Sequence, residues 1–246
     1  MLRVGVDTGG TFTDCVLWDS ATHRLFTAKV PSEPARPDAA VITGLAKLVA
    51  EAAIRHDQVG FLAHGTTIAT NAVITGELAR AGMLTNRGFR DVLEIGTQQR
   101  PALYRLHQRP RETIISRERR LEVAGRLAFD GQVLEEIDPA EVAEAARTLS
   151  AMDIQSVAIA MLFSFVDPSQ ELRVEEIVRE TLPGVYVARS SAVSPELREY
   201  PRFATTAANV ALAPLLDRYI GQLDRTLVED GYGAPLHVMQ SNGGLA

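Results

Sequence analysis

Asp7-Thr8-Gly9-Gly10-Thr11-Phe12-Thr13-Asp14 is the stretch on which the fold of this sequence turns. Before it runs Leu2 to Val6, short, apolar and rich in β-branched residues; Asp14 to Trp18 continues it as a second such run, and Arg24 to Val30 is a third. Runs of that kind bounded by turn residues predict a three-stranded antiparallel meander whose first turn is the glycine pair. Gly9 and Gly10 carry no Cβ, so the backbone there can bend tightly and approach an anion. Successive N–H groups of such a turn can form an anion-binding nest. Thr8, Thr11 and Thr13 add hydroxyls. Asp7 and Asp14 set negative charge beside the nest, which suits a phosphate when Mg2+ lies between, usually through water. A plain hairpin, with Asp and Thr capping backbone groups, accounts for the same eight residues. The glycine spacing is neither that of a Walker A loop nor of a dinucleotide fingerprint, and a strand rather than a helix follows.

Outward from the turn, a proline-rich link, Pro31 to Pro37, leads to a helix with Ala40, Leu45, Leu48, Val49 and Ala52 at helical spacing. Phe61-Leu62-Ala63 reads as a strand that stops at His64-Gly65-Thr66-Thr67, before a helix over about Ile68 to Ile74. A threonine near its start suits an N-cap. Such a junction presents N–H groups and a positive dipole end to an anion or polar substrate. Asn71 falls one turn into the helix, on the side of Thr67. Equally, the threonines could cap the helix and His64 could be structural. After a strand at Ala81 to Leu84, Asn86-Arg87-Gly88-Phe89-Arg90-Asp91 offers two arginines suited to carboxylate or phosphoryl groups. The competing reading is a solvated helix start, with Asp91 pairing an arginine.

Residues 98–120 lose periodicity. Seven arginines fall between Arg100 and Arg120 with Tyr104 the only aromatic, which reads as a solvated, partner-facing loop. Leu121 to Ile137 alternates around Asp130-Gly131, a hairpin signal. From Pro139 the pattern is helix (140–150), strand (157–162), helix (169–181) and strand (185–188), a βαβ arrangement with a parallel sheet. A long helix over about 202–229 follows, with Pro214 inside it as a kink. Leu236 to Gln240 is the last strand. Ser241-Asn242-Gly243-Gly244 either touches ligand at the strand end or is a tight turn.

The chain has 246 residues, 46% hydrophobic and 23% charged, with a net charge of −6. Those proportions are ordinary for a soluble globular protein, and the acidic balance argues against nucleic acid. Cys15 is the single cysteine, so an intramolecular disulfide and a multi-cysteine metal site are excluded; this fits a cytoplasmic setting. Lysine is confined to Lys29 and Lys47. The first residues enter a strand pattern with no signal-peptide features, and no apolar run has the length of a membrane span.

Asp7-Thr8-Gly9-Gly10-Thr11 between two strands resembles the first phosphate loop of the actin, sugar-kinase and Hsp70 superfamily. The longer string Gly5 to Asp14 is similar to the hydantoinase A/5-oxoprolinase family. That family includes N-methylhydantoinase, oxoprolinase and the ATP-using subunits of acetone and acetophenone carboxylases. Further blocks resemble it in order: His64 to Ala72, Thr85 to Gly96, Leu162 to Phe165, Ser194 to Asn209 and Met239 to Gly244.

The resemblance implies an α/β fold with an RNase H-like lobe, a mixed sheet and helices on both faces. It implies a hydantoinase/oxoprolinase N-terminal domain over residues 1–195 and the start of a following domain over 196–246. It implies ATP and Mg2+: Asp7 catalytic and holding the metal through water, Thr8, Gly9, Gly10, Thr11, Thr13 and Asp14 around the phosphates. His64, Gly65, Thr66, Thr67, Asn71 and Arg87 would line the substrate, a cyclic amide or a ketone, phosphorylated for ring opening or carboxylation. An oligomeric assembly with a hydantoinase B-like subunit is implied too. Family members continue into a second phosphate loop absent here, so a fragment or split subunit with weak nucleotide binding is expected. The alternatives are a non-catalytic domain that binds a partner subunit, and another kinase or ATPase of the superfamily. The His64 to Ala72 block disfavours the last.

Overall fold

Strict alternation along the first strands sets the first sheet. In a computed structural model, which describes residues 1–33, 36–99, 104, 112–240 and 243–246, β1 (Leu2–Thr8), β2 (Phe12–Asp19) and β3 (Arg24–Pro31) form the expected antiparallel meander, with Asp7 opposite Asp14 and Thr8 opposite Thr13. Strand β4 (Val59–Thr66) pairs parallel to β1, and β11 (Leu236–Val238) parallel to β4. The resulting order, β11-β4-β1-β2-β3, is a mixed sheet of the RNase H-like kind. Val4, Val6 and Thr8 point inward while Arg3, Gly5 and Asp7 are exposed; on β2, Thr13, Cys15 and Leu17 are inward and Phe12, Val16 and Trp18 exposed.

The inward face is covered by α1 (Pro37–Ala52), through Val41, Leu45 and Leu48, and by Tyr219, Leu223 and Leu227 of the long helix α7 (Glu199–Glu229). Each buried leucine contributes about 1.5–3 kcal/mol. Pro37 starts α1 where a missing N–H costs nothing, and Ala53 ends it in the left-handed region. Gly44 lets α1 lie close on β2: a Cβ there would collide with Cys15 Sγ. These elements, with α7 only from Leu216 onward, belong to one compact unit, residues 1–77 and 216–246; residues 78–215 form a second.

In the second unit, β5 (Ala81–Asn86), β6 (Arg120–Val123), β9 (Ser156–Ala160) and β10 (Tyr186–Arg189) run parallel in the order β10-β9-β5-β6. Here both faces are covered. Leu84, Val157 and Ile159 pack with α4 (Pro139–Ser150) and α5 (Ser169–Thr181), and Met83, Ala158 and Ala160 pack with Leu93, Phe203, Ala207 and Val210. That is why β9 is buried at all five positions, as a parallel strand between two helical layers must be. Helices thus cover both faces of this second sheet.

The hairpin around Asp130-Gly131 is present as β7 (Arg126–Leu127) and β8 (Val133–Glu135), with Gly131 at φ 87°. Leu121–Val123, read as part of it, instead lies in β6, which joins β5. Its buried Val123 belongs to the core, and the Arg120 guanidinium, 1% exposed, donates to the Arg90 carbonyl and to Glu94. Pro214 sits inside α7, where it cannot donate to the Val210 carbonyl four residues back. The buried Ser156 hydroxyl donates to that carbonyl at 2.6 Å, and Ala79 N to the neighbouring Ala211 carbonyl at 2.9 Å. The sequence boundary near residue 195 falls inside the second unit, between α6 (Ser190–Val193) and α7. Arg100, Arg105, Arg109, Arg111, Ser241, Asn242 and part of the Pro31–Pro37 link lie outside the described residues. Among those described, no helix is long and apolar enough to cross a membrane.

Candidate functional site

The parallel pairing of β1 with β4 brings two predicted blocks together: Asp7 is in register with Gly65, and Thr8 with Thr66. Thr67 N and Thr67 Oγ1 both donate to the Thr8 carbonyl, at 3.1 and 3.3 Å. This ties the end of β1 to the start of α2 (Ile68–Thr75). Thr67 holds the N-cap position of α2, yet its hydroxyl is spent on β1; Ile68 N is satisfied by Thr66 Oγ1 at 3.2 Å. Across the turn, Gly9 N donates to the Phe12 carbonyl at 3.0 Å, and Ser32 N to the Thr11 carbonyl at 2.9 Å.

Neither Gly9 nor Gly10 takes a positive φ, so glycine is required here for clearance rather than for left-handed backbone. A Cβ on Gly10 would stand 3.3 Å from Asn71 Nδ2, and one on Gly65 3.4 Å from Asp7 Oδ1. Asn71 Nδ2 in turn lies 3.4 Å from Thr67 Oγ1. Asp7, Gly10, Thr11 and Thr67 are exposed, and Gly65, Thr66 and Asn71 partly so. One surface therefore joins the glycine turn to the first turn of α2.

Its charge is uneven. Asp14 is paired with Lys29 at 3.0 Å, and the ammonium also sits 4.9 Å from the centre of the Phe12 ring. Asp7 makes no ion pair among the described residues. No group of three or more His, Cys, Asp or Glu among them could cage a metal. A single open carboxylate beside a clear turn fits a hydrated Mg2+, which keeps most of its waters and shares ligands with a phosphate.

Three expected ligand contacts point the other way. Thr8, Thr13 and His64 are buried. Thr13 Oγ1 lies 2.9 Å from Ser32 Oγ and 3.5 Å from Thr8 Oγ1, so both hydroxyls serve the interior under the turn. The reason is strand parity: Thr8 follows Val4 and Val6 on the inward side. His64 Nε2 lies 2.7 Å from the hydroxyl of Tyr219, and Nδ1 has no hydrogen bond of ordinary geometry. Burial pushes His64 down to about 4, opposed in part by the Val6 backbone. Burial pushes Tyr219 up to about 12, opposed in part by hydrogen bonds from Thr8 and Thr66. Tyr219 escaped sequence reasoning because it lies far along the chain in a helix whose apolar pattern absorbs a tyrosine.

Arg87 belongs to the second unit, at the end of β5. It donates to Glu135 at 2.8 Å and Glu141 at 2.6 Å, contacts that raise its pKa further, Glu141 foremost. Asp91 does pair an arginine, Arg117, at 2.8 Å, which holds its carboxyl below the usual range. Of the described arginines in the 100–120 cluster, Arg119 donates to the Ala81 carbonyl and Arg120 is buried. These two are structural, whereas Arg117, paired with Asp91, is exposed as the sequence reading has it. Beyond β11, Gln240 N donates to the Gly244 carbonyl and Gly243 takes φ 82°, as a tight turn requires.

A family model described as the hydantoinase/oxoprolinase N-terminal region matches residues 3–182. The alpha subunit of caprolactamase from Pseudomonas jessenii is 36% identical over 99% of this chain, and an uncharacterised protein of Methanocaldococcus jannaschii is 34% identical over 99%. In each case this chain spans 36% of the relative's length. The crystal structure of the ATP-dependent caprolactamase superposes with a TM-score of 0.90, at 34% identity, over 99% of this chain and 36% of that one. Nucleotide-free acetone carboxylase superposes with a TM-score of 0.87 over 100% of this chain and 37% of that one; at 24% identity it supports the fold alone.

Proposed function

The chain belongs to the hydantoinase/oxoprolinase family, and on that premise we propose that its first unit holds the phosphates of ATP for an enzyme that activates a cyclic amide. The γ-phosphoryl group passes from ATP to the weakly reactive amide oxygen and ADP leaves; water adds to the activated carbon, the C–N bond breaks to open the ring, and the acyl phosphate that results is hydrolysed to carboxylate and inorganic phosphate. In such a transfer the protein's share is positioning and charge neutralisation. Asp7 would hold Mg2+ through water, and the metal would offset phosphate charge. Gly9, Gly10 and Thr11 would cradle the phosphates by their backbone. Thr8 and Thr13 support that turn from beneath, and Asp14, neutralised by Lys29, adds little net charge to the approach. Gly65, Thr66, Thr67 and Asn71 would face the ligand from the start of α2. Arg87 is held by two glutamates, so we give it no part.

The observation that carries this reading is the open Asp7 carboxylate beside Gly65, at a turn joined to a helix start. The ATP dependence of caprolactamase supports it by kinship. That relative is one subunit of its enzyme, which supports a second, hydantoinase B-like subunit as partner here. Calorimetric titration with ADP, with and without Mg2+, tests the assignment. Asp7→Asn should weaken Mg2+-dependent binding at least tenfold, and leave metal-free binding nearly unchanged. Equal Mg2+-dependent affinities in the two proteins would remove Asp7 from the site.

A further inference from the structure

Beneath the turn the interior of the first unit is polar, although its position would suit an apolar core. Ser32 Oγ lies 2.9 Å from Thr13 Oγ1, and Thr13 Oγ1 donates across 3.5 Å to Thr8 Oγ1. The hydroxyls of Thr8 and Thr66 lie beside the phenol of Tyr219 and partly offset the rise that burial causes. The Tyr219 hydroxyl meets His64 Nε2 at 2.7 Å, with the rings 5.7 Å apart and tilted by 53°. At that distance the phenol O–H is placed to donate to Nε2. Such a donation leaves the imidazole proton on Nδ1, on the side of the Val6 backbone.

These contacts converge on one place. Thr8 and Thr66 are register partners on β1 and β4. Gly9 follows the first and Thr67 the second, so whatever fixes this pair fixes both the turn and the start of α2. Tyr219, reaching in from α7, meets His64 and lies beside both threonines. We propose that Tyr219 and His64 are positioning residues for the nucleotide site, a buried phenol–imidazole pair that sets the spacing of Thr8 and Thr66 and so the aperture between the phosphate turn and α2. The proposal rests on the nucleotide reading above. An apolar pair would fill the same volume without desolvating two polar groups, and a connected buried network is the arrangement that fixes one geometry.

Tyr219→Phe keeps the ring and removes the hydroxyl. Three measurements on the chain follow it: calorimetric affinity for Mg2+-bound ADP, amide exchange at residues 8–13 and 66–71, and the 15N shifts of His64. In the unsubstituted chain His64 should carry its proton on Nδ1. In Tyr219→Phe the affinity should fall at least tenfold, the turn amides should exchange faster, and the tautomer preference should be lost. The double variant Tyr219→Phe/His64→Leu removes both polar partners and should regain thermal stability with affinity still low. Affinity that returns together with stability would reduce the pair to packing, as would a Tyr219→Phe affinity within twofold of the unsubstituted chain. If the unsubstituted chain binds no nucleotide, the nucleotide reading fails by itself. Exchange at the turn then decides, and unchanged exchange in Tyr219→Phe overturns the positioning role.

Discussion

At the scale of single residues, His64 shows how a buried titratable group writes itself into stability. Its folded pKa is about 4, below the ordinary histidine value of 6.5, because burial disfavours the cation. Above pH 6.5 both folded and unfolded chains carry it neutral, and it has no effect. Below 6.5 the unfolded chain takes up a proton that the folded chain refuses. Stability should therefore fall as the pH drops from 6.5 towards 4, by a total on the order of 3 kcal/mol from this residue. Urea midpoints between pH 7 and pH 4 test it. His64→Leu should be less stable throughout but should lose less of its stability over that range; identical slopes would mean that His64 is not the source. Part of this was legible in the sequence. Thr8 shares parity with Val4 and Val6, and His64 with Leu62, so alternation alone would have turned all of them inward; Asp7, with Arg3 and Gly5, belongs outside. What no spacing could signal was Tyr219, because its partner is set by tertiary packing.

At the scale of elements, strands and helices with a clear period were readable, and the exceptions have causes. The meander, α1, α2, α4, α5 and the Asp130-Gly131 hairpin stand where the pattern puts them. β6 does not, because four residues carrying two buried positions look the same in a hairpin and in a parallel ladder. The helix α7 was readable despite Pro214, and the structure explains its tolerance. Ser156, on β9, satisfies the carbonyl that the proline leaves without an N–H partner. Ser156→Ala should therefore strand a buried carbonyl and cost about 1–3 kcal/mol, read as a lower urea midpoint with unchanged slope. In a Pro214→Ala background, where the helix can supply its own donor, the same substitution should cost less. Equal costs in the two backgrounds would show that Ser156 does not compensate for the proline.

At the scale of the whole molecule, the sequence conveyed an α/β chain with a phosphate-turn meander but not its division into two units. The division interleaves the chain: residues 1–77 and 216–246 share a core, and the intervening residues build another. Linear reading places domain boundaries where composition shifts, whereas here α7 contributes Phe203 and Val210 to one core and Tyr219 and Leu223 to the other without an interruption. The contact of Gly44 with the buried thiol of Cys15 acquires a use from this arrangement. Burial, with Asp14 next to it, pushes that thiol up to about 11, and the chain has no second cysteine. A thiol reagent at neutral pH can react only when α1 lifts from β2, so labelling is a clock for opening of the first unit and is blind to the second. Mg2+-bound ADP seated on the turn should slow that clock by the factor 1 + [L]/Kd, with the Kd found by calorimetry. Labelling that ignores saturating nucleotide would place its binding elsewhere, and the molecule would have reported this through the one sulfhydryl it carries.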